Sequence, residues 1–127
     1  MPYITVKLAL AQPLSSMQTQ ELIKGVTDVM EHTLRKKRHL VAVSVEYLPL
    51  DQWFIADQTI ATQTAFMQAY ITAGTNTEAE KEQAILELHS LLATVLGGIE
   101  EASYIVLSDT PATDWGYAGK TQARRYF

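Results

Sequence analysis

A doubled pattern constrains this chain more than any other feature. Pro49 and Trp53 recur as Pro111 and Trp115, both in the spacing Pro-x-x-x-Trp, and each stands 62 residues from its counterpart. What precedes each pair is also alike. Ile4, Val6, Leu8 and Leu10 alternate with Tyr3, Thr5, Lys7 and Ala9, the period of a strand. Ser15 with Gln18 then fits a capping box, and Leu22, Ile23, Val26, Val29, Met30 and Thr33 recur at helical spacing to about Leu34. Residues 40–48 are rich in β-branched side chains and read as a second strand. The second half runs the same way. A strand over 65–72 is followed by a Thr77/Glu80 capping box and a helix marked by Ile85, Leu88, Leu91, Leu92, Val95 and Leu96. Gly97-Gly98 stops that helix, and a strand over 103–108 follows. Segments 49–57 and 111–120 read as turns, and 58–63 as a polar connection without a clear period.

A strand–helix–strand unit normally pairs its strands in parallel with a right-handed crossover. The order βαβ–βαβ therefore predicts an α/β (α+β) fold in which two fused units form a four-stranded sheet with two helices on one face. The chain is one domain, 1–127, with pseudo-repeat units at about 1–57 and 64–120. The helix-free face is expected to be exposed and rich in apolar residues, which predicts oligomers of closed symmetry.

Composition narrows the function. A net charge of −4 argues against a general nucleic-acid binder, and the absence of cysteine excludes disulfides, thiolate metal sites and thiol redox chemistry. The start lacks a basic n-region and a long apolar h-region, and no apolar run approaches the ~20 residues of a membrane span. A cytoplasmic protein without a membrane partner is expected. His32, His39 and His89 have no metal-ligand spacing, so no metal site is expected. The basic run from Arg35 to His39 reads either as a solvated helix end complementing the helix dipole or as an anion site.

Pro2 is the unusual residue at the start. Proline directly after the initiator methionine favours removal of Met1, which leaves a secondary amine at the tip of a rigid strand. An ordinary α-amino group titrates near ~8. Burial or nearby cations lower that value, so the amine can take and give protons at neutral pH. The alternative is that Pro2 merely starts a strand where no donor is needed.

Taken together, the Pro2-led strand, the doubled βαβ order, the Pro-x-x-x-Trp segments and the run Asp114-Trp115-Gly116-Tyr117-Ala118-Gly119 resemble the tautomerase superfamily. This is the group of 4-oxalocrotonate tautomerase and macrophage migration inhibitory factor. The resemblance spans nearly the whole chain and is to the long, fused form, in which a trimer replaces a hexamer of single units. It implies a cofactor-independent isomerase in which Pro2 moves a proton between the oxygen and carbon sides of an enol. The implied substrate is a small carbonyl compound bearing a carboxylate. Trp53 and Trp115 correspond to the aromatic wall, although each is equally suited to anchoring the core. The short members carry carboxylate-binding arginines where this chain has Gln12 and Ala42, and the matching places in the second unit hold Thr75 and Tyr104. Lys36 and Tyr104 suit the migration-inhibitory-factor branch, which makes Lys36 the candidate anion ligand. Arg124 and Arg125 substitute only if the tail folds over a neighbouring subunit's pocket. Alternatives are hydratase, dehalogenase or decarboxylase-like chemistry of the same superfamily, or a trimeric binding protein without catalysis.

Overall fold

The computed structural model describes residues 2–127. In chain order its main elements are β1 (Tyr3–Ala9), α1 (Ser16–His32), β2 (Ala42–Leu48), β3 (Phe54–Ile55) and β4 (Gln58–Thr59). These are followed by β5 (Thr64–Thr72), α2 (Glu78–Leu96), β6 (Tyr104–Thr110), β7 (Gly116–Tyr117), β8 (Lys120–Thr121) and α3 (Gln122–Tyr126). One sheet carries the fold, in the order β2-β1-β5-β6. β1 pairs with β2 in parallel and β5 with β6 in parallel, as each βαβ unit requires; β1 and β5 meet antiparallel at the centre.

Both long helices begin where local chemistry puts them. The Ser15 hydroxyl accepts from the Gln18 amide while the Gln18 side chain accepts from the Ser15 amide, and Thr77 and Glu80 repeat the reciprocal pair. Two of the four orphan donors at each helix start are thereby satisfied. α2 ends on Gly97 in the left-handed region, φ 77°, as the glycine pair predicts.

The core lies between the two helices and one face of the sheet. Ile4, Val6 and Leu8 of β1 and Met67 and Ile71 of β5 meet Leu22, Val26 and Met30 of α1 and Leu88 and Leu92 of α2. All are fully buried, each worth roughly 1.5–3 kcal/mol of transfer free energy. The edge strands β2 and β6 bury less, through Val43, Val45, Ile105 and Leu107.

The helix-free face carries the expected apolar side chains, interleaved with polar ones. Tyr3, Phe66, Tyr70, Tyr104 and Val106 share it with Thr5, Lys7, Ser44, Glu46, Gln68 and Ser108. The polar groups pair within the face: Tyr3 Oη lies 2.9 Å from Ser44 Oγ, and Gln68 Nε2 donates to Ser108 Oγ at 3.0 Å. Tyr3 and Tyr70 stack with ring centroids 6.3 Å apart. Hydrogen-bonded cross-strand pairs let a sheet face carry polar residues without the cost of leaving them unpaired when covered.

The turn segments are also more ordered than the sequence suggests. Residues 58–63 are not merely a connection, because Gln58–Thr59 pairs back on Phe54–Ile55 as a hairpin. Ala56 and Asp57 form its turn at positive φ, and Ala118-Gly119 does the same for β7–β8. At Gly116 a Cβ would lie 1.9 Å from the Lys120 carbonyl oxygen, so this second hairpin requires glycine after Trp115. No helix among the described residues is long and apolar enough to cross a membrane.

Candidate active site

The sheet has two ends, and the candidate residues divide between them. Tyr3 is opposite Tyr70, and the Pro2 carbonyl accepts from the Ala42 amide at 3.3 Å. Continuing the antiparallel register puts Pro2 across from Ile71, one residue before Thr72. Pro2 is buried. Removal of Met1 lies outside the described residues.

A cavity of about 190 Å³ opens at this end, lined by Leu34, Arg35, Lys36, Lys37, Thr72, Thr75 and the tail residues Gln122, Tyr126 and Phe127. That exceeds the ~150 Å³ of a cavity known to hold benzene, so one small organic molecule fits. Lys36 supplies its charge. The Lys36 ammonium donates to Thr75 Oγ1 at 2.8 Å, and Thr75 Oγ1 donates in turn to the Thr72 carbonyl at 2.6 Å. No carboxylate pairs with this ammonium among the described residues. An ammonium has three donors, so Thr75 leaves two for a ligand. Burial is the main cause that pushes the Lys36 pKa below the ordinary lysine value, with the Arg35 guanidinium adding to it. A cation kept partly out of water beside a small cavity is equipped to bind an anion, whose charge would offset that burial.

The chain accepts backbone strain to place Lys36. Arg35 adopts φ 60°, the left-handed region that costs a non-glycine residue about 1–2 kcal/mol. Its side chain is committed elsewhere: the guanidinium donates to Glu80 at 2.7 and 3.2 Å and to the Thr75 carbonyl at 3.1 Å. Glu80 is held at a pKa of about 2, chiefly by that contact and then by the Thr77 amide. Arg38 is likewise engaged, with Asp28 and Glu31. Of the basic run, Arg35, Lys36 and Lys37 line the cavity, and of these Arg35 is the one held by a carboxylate. Lys37 lies over the Tyr126 ring, 5.0 Å from its centroid.

Trp115 sits at the same end as Pro2. Its carbonyl accepts from the Gln122 amide at 2.9 Å and Gln122 lines the cavity, but Trp115 itself lines a neighbouring hollow with Thr113, Asp114 and Lys120. The other two candidates are at the far end. Trp53 lines a separate hollow with Lys7, Leu48, Gln52, Phe54 and Phe66. Tyr104 is paired with Phe66, which is opposite Lys7, so several residue rows separate it from Pro2. Neither reaches the Lys36 cavity of its own chain. Arg124 and Arg125 do not act as the sequence suggested, because the tail folds over its own chain's cavity. The Arg125 guanidinium stacks on Tyr117 at 4.1 Å and donates to the Tyr117 carbonyl at 3.2 Å. Sequence reasoning missed Tyr126 and Phe127 as lining residues; α3 is too short to leave a periodic signal. The described residues contain no group of His, Asp or Glu able to hold a metal ion.

Comparison with known proteins agrees with this architecture. The family model for tautomerase enzymes matches residues 2–63. Among solved structures, the Q0 fused 4-OT wild-type symmetric trimer superposes with a TM-score of 0.87 at 21% identity, covering 98% of this chain and 99% of that one. Pt0534 inactivated by 2-oxo-3-pentynoate follows at 0.86 and 21%, with the same coverage. The R7 fused 4-OT wild-type asymmetric trimer gives 0.81 at 27%, covering 95% and 98%. None of the curated proteins matches the sequence. The first unit thus matches the tautomerase family model, and the whole chain has the fold of the fused two-unit 4-OT proteins.

Proposed function

We propose that the protein is a cofactor-independent keto–enol tautomerase acting on a small carboxylate-bearing carbonyl compound. The observation that carries this reading is Lys36: a partly buried ammonium, free of carboxylate partners among the described residues, in a cavity at the Pro2 end of the sheet. Once Met1 is removed, the Pro2 nitrogen is a secondary amine on a buried residue. Burial lowers its pKa, so it is neutral and basic near pH 7. Lys36 holds the substrate carboxylate. Pro2 takes the enol hydroxyl proton and returns a proton to carbon.

Hydration or dehalogenation would use Pro2 as a cation with an acidic or tyrosine partner; the described cavity lining has no carboxylate but does include Tyr126, so that chemistry is the second reading. The mixed helix-free face and the trimeric state of the Q0 and R7 proteins support a homotrimer. In it, Tyr104 and Trp53 would approach a neighbouring subunit's cavity. A cytoplasmic setting suits this chemistry.

The test is ketonisation of enolpyruvate, released in place from phosphoenolpyruvate by a phosphatase and followed by ultraviolet absorbance, on protein whose mass is short by one methionine. Pro2→Ala should cost about 10²–10⁴-fold in kcat/KM. Activity indifferent to that change, or none in the parent protein, would remove the proton-shuttle reading in favour of a binding role.

A further inference from the structure

The last turn of the chain closes one side of the Lys36 cavity, and its two ends are held differently. α3 has five residues, too few to be stable as an isolated helix. Its start is tied by backbone: the Gln122 amide donates to the Trp115 carbonyl at 2.9 Å and the Ala123 amide to the Ala112 carbonyl at 2.8 Å. Its far end rests on side chains. Tyr126 Oη lies 2.6 Å from Tyr117 Oη, and Tyr126 also receives the Lys37 ammonium on its ring. Arg125 clamps Tyr117 from the other side. The Tyr126 contact pushes the Tyr117 pKa up, so its hydroxyl stays protonated.

We propose that the Tyr117–Tyr126 hydroxyl pair is a latch that holds the last turn across the cavity and limits the size of the group a substrate carries beyond its carboxylate. The inference rests on the reading of this cavity as the substrate site. Tyr126 is the wall, and Tyr117 is a positioning residue that acts through it. The volume argues for the limit. With a carboxylate on Lys36, about 190 Å³ accepts a short substituent, whereas a phenyl-bearing one needs Tyr126 or Phe127 to move. Tyr126 is 41% exposed and Phe127 81%, so both can swing outward without leaving a buried site. What resists that motion is the hydroxyl pair.

The experiment compares the full chain with Tyr117→Phe and Tyr126→Phe, each of which removes one hydroxyl and keeps both rings. Propanoate and 3-phenylpropanoate, which cannot react, are titrated by NMR at the Lys36 and Thr75 amides. Amide hydrogen exchange is followed at Tyr126 and Phe127. In either variant, 3-phenylpropanoate should gain about fivefold over propanoate, and exchange at both amides should rise by a similar factor, the effect of one ordinary hydrogen bond. Unchanged selectivity or unchanged exchange in both variants overturns the latch, as does failure of propanoate to perturb Lys36 and Thr75 in the parent protein. The two readings fail separately. A parent protein that binds with this selectivity but ketonises no enol sinks the proton shuttle and leaves the latch. Pro2-dependent ketonisation with unaltered selectivity in both tyrosine variants sinks the latch alone.

Discussion

At one end of the sheet, the first helix runs out into Leu34, Arg35 and Lys36. At the other, the second helix runs out into Leu96, Gly97 and Gly98, the same places in the repeat. The backbone is handled alike: Arg35 and Gly97 both take positive φ, 60° and 77°. The two leucine carbonyls are both capped by a side-chain amide, Leu34 by Asn76 at 3.0 Å and Leu96 by Gln63 at 2.8 Å. The chemistry is not alike. Where the first end presents Lys36, the second has a glycine, and its hollow is lined by Leu10, Ala11, Gln12, Pro13, Leu14, Gln18, Gln63 and Leu96, with no cation. The strand starts differ too. Tyr3 and Phe66 occupy equivalent rows on the same face, so the counterpart of Pro2 is Ala65, whose nitrogen is a peptide amide in mid-chain. Duplication supplies the scaffold twice, but a chain has only one start and therefore one place for a free amine. The lysine stands at that end, where an anion ligand and the amine can serve the same molecule.

The sharpest way to break this comparison is Lys36→Met. Losing a hydrogen bond to a charged ligand should raise KM about 10- to 100-fold. Stability should move the other way, up by about 0.5–2 kcal/mol, as happens when a functional site's own cost is relieved. The pH dependence carries the sign. Burial lowers the folded-state pKa of Lys36, so the unfolded chain holds that proton more tightly. Parent stability therefore rises with pH between the lowered value and the ordinary lysine value, and Lys36→Met should lose that rise. Denaturant titrations at two pH values, with and without a bound carboxylate, measure both effects. A variant with unchanged KM would remove Lys36 from the site.

The opposite end should answer only in stability. Gln63 Nε2 donates to the Leu96 and Gly98 carbonyls at 2.8 and 2.7 Å, and Gln63→Ala should cost about 1–3 kcal/mol while leaving kcat/KM within about twofold. A large loss of activity at constant folding would mean that the far end also serves a site, and the two-ended contrast would fall.

How much of this the sequence shows depends on the range of the interaction concerned. Ser15 with Gln18, Thr77 with Glu80, and Gly97 are local signals, read correctly because capping needs only neighbours in the chain. The hairpin at 54–59 was hidden, since two-residue strands have no period and its turn, Ala56-Asp57, lacks glycine. On the helix-free face, alternation shows which residues point away from the core but not that Tyr3 meets Ser44 or Gln68 meets Ser108. Trp53 and Tyr104 entered the candidate list on resemblance, while their distance from Pro2 follows from the antiparallel register of β1 with β5. That register sets Tyr3 against Tyr70 and Phe66 against Lys7. Tyr126 and Phe127 became legible only once the tail was seen to fold back on its own chain.

The smallest effect tests the most local difference between the two ends, the left-handed residue itself. Arg35→Gly makes the first end resemble the second. It relieves the left-handed strain on a side-chain-bearing residue, about 1 kcal/mol, and it releases Glu80 from its first-ranked partner. These oppose each other at pH 7, where little net change in stability is expected and activity should stay within about threefold. Acid separates them. With a folded-state pKa of about 2 against an ordinary 4.5, Glu80 contributes stability above pH 4.5 that is lost as pH falls toward about 2. In Arg35→Gly that acid-side loss should shrink without disappearing, because the Thr77 amide and Asn76 still bond the carboxylate. Urea midpoints at pH 7 and pH 3 decide the matter. A parent-like drop between the two in the variant would mean that Arg35 does not hold Glu80, and a large loss at pH 7 would mean that the guanidinium, rather than the backbone turn it crosses, is what joins the first helix to the second at the site.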